Sequence, residues 1–221
     1  MSRRALVYLH GFASSPQSSK ARFFSERAAG AGWVFTCPDL NQPDFTSLTV
    51  SRMIEAADAA VAACGEGPVA LVGSSLGAFV ALHAAAGRLA RGAIGPVDRL
   101  VLLAPALDLV AGLEEEFGPA RMAAWELTGR LPVFHYGDDA MRELGWAFMP
   151  DARRYDSDAV HIDLPIVIYQ GQSDQVVRPA SVERWAAARP TVALRMVDDG
   201  HQLLGHVEPM WADLVTLLGG A

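Results

Sequence analysis

Three residue types in this chain could together perform nucleophilic chemistry: a serine, an aspartate and a histidine. The serine is Ser75, within the G-x-S-x-G pattern Gly73-Ser74-Ser75-Leu76-Gly77. This pattern is typical of a sharp turn from a strand into a helix, where the hydroxyl projects from the carboxyl end of the strand. The pattern alone also fits a merely structural turn, but an apolar run precedes it and a helix-forming run follows it. This context favours a nucleophile.

A serine hydroxyl is a poor nucleophile at neutral pH, so a base must take its proton and an acid must orient that base. The candidate acid is Asp174, in the loop after the fifth of six apolar runs, and the candidate base is His201, in the loop after the sixth. Asp198 and Asp199 are alternative acids. They lie too near His201 in sequence to reach its far side easily, so we interpret them as turn or solvent-facing residues.

The other histidines have simpler interpretations. His206 lies at the entry to the last predicted helix and is interpreted as a capping or surface residue. His83 falls about two helical turns after Ser75 and is more typical of a hydrogen-bonded core or groove histidine. His135 and His161 have no paired ligand pattern, and Ser74 is expected to have a structural role.

Attack on an acyl carbonyl also requires hydrogen-bond donors for the oxyanion that develops. In a site of this design, one backbone N–H comes from the loop after an early strand and the other from the residue after the nucleophile. We assign these donors to Phe12 and Leu76. His10 is expected to orient the first loop, and Gly11 to let the backbone approach closely. Gly73 and Gly77 are expected to do the same around the turn.

Strands and helices alternate along the chain, which predicts a three-layer α/β/α sandwich around a mostly parallel six-stranded sheet. We expect the strand order 2-1-3-4-5-6, with Ser75 after a central strand. The loops that carry all the candidate residues then meet at the carboxyl edge of the sheet. Strands are predicted near 5–9, 33–37, 68–72, 98–104, 164–170 and 191–197, and helices near 17–30, 48–64, 76–90, 179–188 and 206–218.

The segment from about 108 to 161 is too long for an ordinary crossover and is predicted to form a helical cap beside the catalytic edge. Its aromatic and methionine side chains could line a pocket for the acyl group, or they could form only the insertion's own small core. Both interpretations stay open. These side chains belong to Met122, Trp125, Phe134, Met141, Trp146, Phe148 and Met149.

Composition excludes several other classes of protein. A chain of 221 residues, 51% of them hydrophobic, predicts a single domain spanning 1–221 with one sizeable core. The net charge of −7 argues against a nucleic-acid partner. No apolar segment is long enough for a membrane span, and the run 5–9 is too short for a signal peptide, so a cytoplasmic protein is expected. Cys37 and Cys64 lack metal-binding spacing.

The motifs quoted above, in the chain order Ser75, Asp174, His201, resemble the α/β-hydrolase superfamily. Within it, Tyr8-Leu9-His10-Gly11-Phe12, Ser14-Ser15-Pro16 and Ser19-Lys20-Ala21 resemble the YqiA-like group of small bacterial serine esterases. The resemblance covers nearly the whole chain. It implies a serine carboxylesterase or thioesterase, with a small-molecule ester or thioester substrate and no metal or organic cofactor. Of these, we expect a carboxylesterase for short- to medium-chain acyl groups.

Other activities remain compatible with the same residues. A thioesterase or an acyltransferase would use the same three side chains, and a peptidase or a carbon–carbon-bond hydrolase is a more distant alternative. The fold could also serve as a non-catalytic receptor for a small molecule, because a fold does not by itself determine function.

Overall fold

A six-stranded, all-parallel sheet forms the centre of the computed structural model, which describes residues 4–92 and 97–217. Its strand order is β2-β1-β3-β4-β7-β8, which confirms the predicted order. The strands are β1 (Ala5–Leu9), β2 (Val34–Thr36), β3 (Val69–Ser74), β4 (Val97–Leu103), β7 (Ile166–Gly171) and β8 (Val192–Val197). β1, β3 and β7 are buried along their whole length, because helices cover both faces of the sheet.

Helices pack on both faces of this sheet and complete the three layers. α1 (Ser19–Gly30) and α7 (Val207–Leu217) cover one face, where Phe24 and Met210 pack against Tyr8 of β1 and its neighbours. α2 (Val50–Ala62), α3 (Leu76–Ala90) and α6 (Pro179–Ala187) cover the other face. Each predicted helix of these layers is present, although residue 218 of the last one lies outside the described residues. Within the described part of the chain, no helix combines the length and apolarity that crossing a membrane requires.

The chain between β4 and β7 contains more than the predicted helices. It folds as α4 (Leu109–Thr128), a hairpin of β5 (Arg130–His135) and β6 (Ala140–Gly145), and α5 (Phe148–Ala152). The hairpin is antiparallel and separate from the main sheet, and it was not predicted from the sequence. α4 bends at Gly118, whose φ of 70° and ψ of 164° are not helical, directly before Pro119.

The aromatic side chains of this insertion divide between the two predicted roles. Trp125 is buried, donates from Nε1 to the carbonyl of Leu144 at 2.9 Å and packs edge-on against Trp146. Phe148 is also buried, but it faces a cavity at the edge of the main sheet. Phe134 lies exposed on the hairpin. The insertion therefore has its own small core and also contributes to the cavity wall.

Candidate active site

Ser75 lies at the apex of the turn between β3 and α3. Its φ of 55° and ψ of −117° are rare for a residue with a side chain and store strain, on the order of 1–3 kcal/mol for such a position. Surrounding hydrogen bonds hold this conformation: the Ser75 N–H donates to Leu103 O at 2.8 Å, and the Ser75 carbonyl accepts from Ala78 at 3.0 Å and Phe79 at 3.2 Å. Ser75 is also the N-cap of α3, so the positive end of the helix dipole lies beside its hydroxyl.

Two glycines allow the backbone to pass closely around this turn. A Cβ atom on Gly73 would collide with the backbone of Gly77 and Ala78. A Cβ atom on Gly77 would collide with the carbonyl groups of Leu9, the last residue of β1, and His10, the residue that follows it. The G-x-S-x-G pattern therefore reflects direct contact between backbone segments.

The loop after β1 lies next to Ser75 and is held by the His10 ring. This ring is 1% exposed, donates from Nδ1 to Gly11 O at 2.9 Å and accepts at Nε2 from the Leu40 N–H at 3.0 Å. The two bonds tie the loop after β1 to the segment after β2. In the described part of the chain, the backbone N–H groups of Phe12 and Leu76 donate no hydrogen bond to the protein. Both N–H groups could therefore donate to an acceptor bound beside Ser75.

His201 is paired with Asp174, not with its sequence neighbours Asp198 and Asp199. The His201 Nδ1 atom lies 2.9 Å from Asp174 Oδ2 and 3.1 Å from Oδ1. Donation from Nδ1 to the carboxylate leaves Nε2 as the basic nitrogen of the neutral ring. Asp198 is exposed, and Asp199 accepts from the Gly200 N–H at 2.7 Å within its own loop.

The Asp174 carboxylate receives more hydrogen bonds than the one from His201. Its Oδ1 accepts from the N–H groups of Val176 at 2.8 Å and Val177 at 2.9 Å. Its Oδ2 accepts from Gln170 Nε2 at 2.9 Å. Burial alone would raise the pKa of Asp174, but the hydrogen bonds from His201 and the two backbone N–H groups outweigh it and lower that pKa. The acid is therefore ionised at neutral pH.

No hydrogen bond joins the Ser75 hydroxyl to the His201 ring among the described residues. In serine hydrolases in general, the hydrogen bond between nucleophile and base is often long in the free enzyme and tightens only in the complex. The structure thus brings together Asp174 and His201 as one pair, and Phe12, Ser75 and Leu76 as another group around one cavity.

This cavity, of about 460 Å³, lies at the carboxyl edge of the sheet. Its wall includes Ser75 together with apolar side chains from the insertion and the neighbouring loops, among them Leu107, Leu109, Leu113, Phe148 and Val177. Its rim is polar and includes Asp108, Glu115, Glu116, Gln175 and Arg178. The rim residues Glu115 and Arg178 form an ion pair that joins α4 to the loop after Asp174.

The model of Uncharacterised protein family (UPF0227) matches residues 5–214, which is most of the chain. The chain belongs to family UPF0227. A search of the curated proteins gives no significant match.

Solved structures show the fold of this UPF0227 protein. A "putative hydrolase" from Agrobacterium vitis S4 is 26% identical, with a TM-score of 0.85 over 98% of this chain and 88% of the other. Alpha/beta hydrolase domain-containing protein 10 from mouse is 21% identical, with a TM-score of 0.78 over 97% of this chain and 89% of the mouse chain. The Pyrococcus furiosus esterase Pf2001 is 17% identical, with a TM-score of 0.66 over 98% of this chain and 82% of the esterase chain. The predicted α/β-hydrolase fold is confirmed.

The remaining histidines of the UPF0227 chain lie away from the Asp174–His201 pair. His83 is buried, with Nε2 at 3.3 Å from Ser157 Oγ, and its burial lowers its pKa to about 4. His135 is buried and accepts at Nδ1 from the Asp138 N–H at 3.1 Å. His206 is half-buried against Asp199, and His161 is exposed.

Two residues of this UPF0227 site were not selected from the sequence. Gln170 is fully buried at the end of β7 and donates to Asp174; a polar residue closing an apolar strand was the available signal. A Cβ atom on Gly171 would lie 2.5 Å from the carbonyl oxygens of Asp199 and Gly200. Glycine at this position lets the loop after β7 approach the loop that carries His201.

Metal-ligating side chains do not gather in the described part of the UPF0227 chain: no three His, Cys, Asp or Glu residues there could hold one metal ion. Cys37 and Cys64 are both half-buried free thiols.

Proposed function

We propose that this protein is a serine hydrolase that cleaves carboxylic esters through an acyl-enzyme. One observation carries the proposal: a single cavity collects Ser75, in its strained turn, and the free N–H groups of Phe12 and Leu76. A carbonyl group bound there would meet a nucleophile and two oxyanion donors together. The proposed catalytic residues are Ser75, Asp174 and His201.

In the first half of the reaction, Ser75 Oγ bonds to the ester carbonyl carbon while His201 Nε2 takes the hydroxyl proton. The carbonyl oxygen becomes an oxyanion and accepts from the N–H groups of Phe12 and Leu76. Asp174 accepts from Nδ1 and stabilises the positive ring without taking a proton itself. The bond to the leaving alkoxide then breaks, the alkoxide takes the proton from Nε2, and the acyl group stays on Ser75.

Water completes the second half. His201 Nε2 takes a proton from a water molecule as that water attacks the acyl carbonyl, and the same two N–H groups receive the second oxyanion. The bond to Ser75 Oγ breaks, and His201 returns the proton to that oxygen. The products are the carboxylic acid and the unmodified enzyme.

The proposed substrate has an uncharged acyl group of short to medium length. Apolar side chains form the inner wall of the cavity, while the charged groups lie at its rim. An apolar wall favours an apolar acyl chain and disfavours a buried charge without a partner. We propose residues 108–161 as the cap over this site, because α4 and Phe148 supply part of the wall. The esterase Pf2001, which has the same fold, is consistent with ester cleavage.

The first test is labelling with a fluorophosphonate, followed by intact mass and peptide mapping, with Ser75→Ala as the control. We expect one adduct, on Ser75, that is lost in the variant. A correctly folded protein that forms no adduct would contradict an activated serine and favour the receptor interpretation. Once an ester that the protein hydrolyses has been identified, Ser75→Ala and His201→Ala should each lower kcat by a factor of about 10⁴ to 10⁶.

A matched pair of substrates then assigns the leaving group. An oxygen ester and a thioester with the same acyl chain are compared by kcat/KM, with and without an added alcohol as acyl acceptor. Preference for the oxygen ester with water as the acceptor is expected. A strong preference for the thioester, or transfer to the alcohol, would replace the esterase assignment with a thioesterase or acyltransferase.

A further inference from the structure

Lys20 is the only lysine in this chain, whose 18 basic residues otherwise are all arginines. It lies in the first turn of α1, within the Ser19-Lys20-Ala21 motif, where Ser18 is the N-cap. Lysine side chains are almost never fully buried unless they are paired. Lys20 is nevertheless only 7% exposed. A buried lysine therefore lies in a part of the sequence that the proposed chemistry does not use.

The Lys20 ammonium group contacts the loop that carries His201. Its Nζ donates to the carbonyl oxygen of Gln202, the residue directly after His201, at 2.7 Å. The bond links positions 182 residues apart in the chain. The Gln202 carbonyl lies in a turn without regular secondary structure, and the Lys20 ammonium group gives it a charged hydrogen-bond donor there.

Two carboxylates on neighbouring loops act on the Lys20 charge. Burial lowers the pKa of Lys20 to about 8, while Asp199 and then Asp174 act in the opposite direction. The other charged or titratable groups around this region are His201 and His206 on the loop after β8, Tyr8 on β1, and the ion pair of Arg27 with Glu208 between α1 and α7.

We propose that Lys20 is a positioning residue for the candidate active site: it anchors the His201 loop through Gln202, and its charge favours ionised Asp174 and neutral His201. This inference rests on the proposed function for its catalytic consequence. The contact between Lys20 and the loop does not depend on that function. Lys20 itself does not touch the substrate in this proposal.

The direction of the electrostatic effect follows from the sign of the charges. The positive charge of Lys20 lies near Asp174 and His201. It disfavours a second positive charge on the His201 ring and favours the negative carboxylate of Asp174. The first of these effects favours a neutral His201 ring, which is the form that can act as the general base. Removing the Lys20 charge should therefore move the acid limb of the pH–rate profile to higher pH. A lysine that only filled space would not shift this limb.

The first experiment compares Lys20→Met with Arg22→Met across pH 5 to 9. Both variants remove one positive charge from α1, but Arg22 is exposed to solvent. Lys20→Met should lower kcat about tenfold or more with KM nearly unchanged, and should raise the midpoint of the acid limb by about 0.5 to 1 pH unit. Arg22→Met should leave both quantities unchanged. An unshifted limb in a folded Lys20→Met protein would overturn the electrostatic role.

The second experiment needs no substrate and no variant of Lys20, because a single lysine gives a single signal. Protein labelled with ¹³C-lysine is titrated by NMR, following the Lys20 Cε resonance. We expect a midpoint near pH 8, and a lower midpoint in Asp174→Asn, where one compensating negative charge is lost. An ordinary midpoint near 10.4 that does not respond to Asp174→Asn would contradict the proposed coupling.

These experiments distinguish a failure of the proposed function from a failure of the Lys20 inference. A coupled, lowered Lys20 titration in a protein that hydrolyses no ester and forms no fluorophosphonate adduct would refute the proposed function and retain the Lys20–Asp174 coupling. Full ester turnover in Lys20→Met, with an unshifted acid limb and an uncoupled Lys20 titration, would refute the inference and retain the proposed function.

Discussion

The Asp174 carboxylate shows how much of this site depends on single residues. It accepts from two backbone N–H groups, from His201 and from the buried amide of Gln170. Hydrogen bonds to an ionised acceptor are stronger than those between neutral groups. The same amide has a second atom, Gln170 Oε1, that is buried without a partner in the described part of the protein. Gln170 therefore supports the acid at some cost to stability.

Gln170→Met should separate activity from stability. The variant keeps a similar shape but loses a donor to a charged carboxylate, a contribution of about 1.5 to 3 kcal/mol, so kcat/KM should fall about 10- to 100-fold. It also removes the unpartnered Oε1, so the free energy of unfolding should stay within about 1 kcal/mol of wild type. The measurements are ester kinetics and urea unfolding. Gln17→Met, at an exposed position outside this network, serves as the control and should alter neither.

At the scale of elements, α3 links the proposed nucleophile to the core. The helix begins directly after Ser75 and is buried continuously from Leu76 to Ala85. His83 lies within this buried stretch, in contact with the ring of Phe79 and with Ser157 Oγ. Its pKa is lowered to about 4 because burial disfavours the charged ring. An element that positions the site thus contains a histidine that must stay neutral.

This histidine should make the fold sensitive to acid. The unfolded chain binds a proton at His83 near pH 6.5, whereas the folded chain does so only near pH 4, so stability is lost as pH falls between these values. Between pH 7.5 and 4.5, wild type should lose about 2 kcal/mol more unfolding free energy than His83→Gln, as measured by urea denaturation. His161→Gln, at an exposed position, should behave as wild type. Equal acid sensitivity in all three proteins would contradict the burial effect.

At the scale of the whole molecule, the insertion and the main sheet share one cavity. The first part of α4, before its bend at Gly118, supplies Leu109, Gly112 and Leu113 to the wall. The ion pair of Glu115 with Arg178 is exposed, and such pairs contribute about 0 to 1 kcal/mol. Apolar packing, together with the hydrogen bonds from Ser51 on α2 to Asp151 on α5, therefore holds the insertion in place. The shape of its inner surface should set the accepted acyl length.

Ala111→Trp tests this role of the insertion. Ala111 lines the cavity from an exposed position on α4, so a larger side chain can narrow the cavity without disturbing the core. We expect kcat/KM for an octanoyl ester to fall at least about tenfold relative to the acetyl ester, since a few buried methylenes are worth about 0.8 kcal/mol each. Ala123→Trp, exposed on the part of α4 beyond the bend, is the control. An unchanged acyl-length preference in Ala111→Trp would place the acyl group elsewhere.

The sequence by itself was sufficient for the sheet, its strand order and the turn at Ser75. Those features depend on local signals: continuous apolar runs, glycines at fixed offsets and the alternation of strands with helices. The same signals placed Phe12, Asp174 and His201 on loops at one edge of the sheet. The β5–β6 hairpin was missed because its strands are partly exposed and carry charged residues, so they lack the apolar runs that identified the main sheet.

Only the tertiary structure decided which groups touch. It placed the Gln170 amide on the Asp174 carboxylate and brought Lys20 to the carbonyl of Gln202. The last contact joins residues 182 positions apart. Hydrophobic periodicity records only which face of an element is buried, whereas hydrogen bonds between distant loops depend on how the elements pack, and that packing is a property of the whole fold.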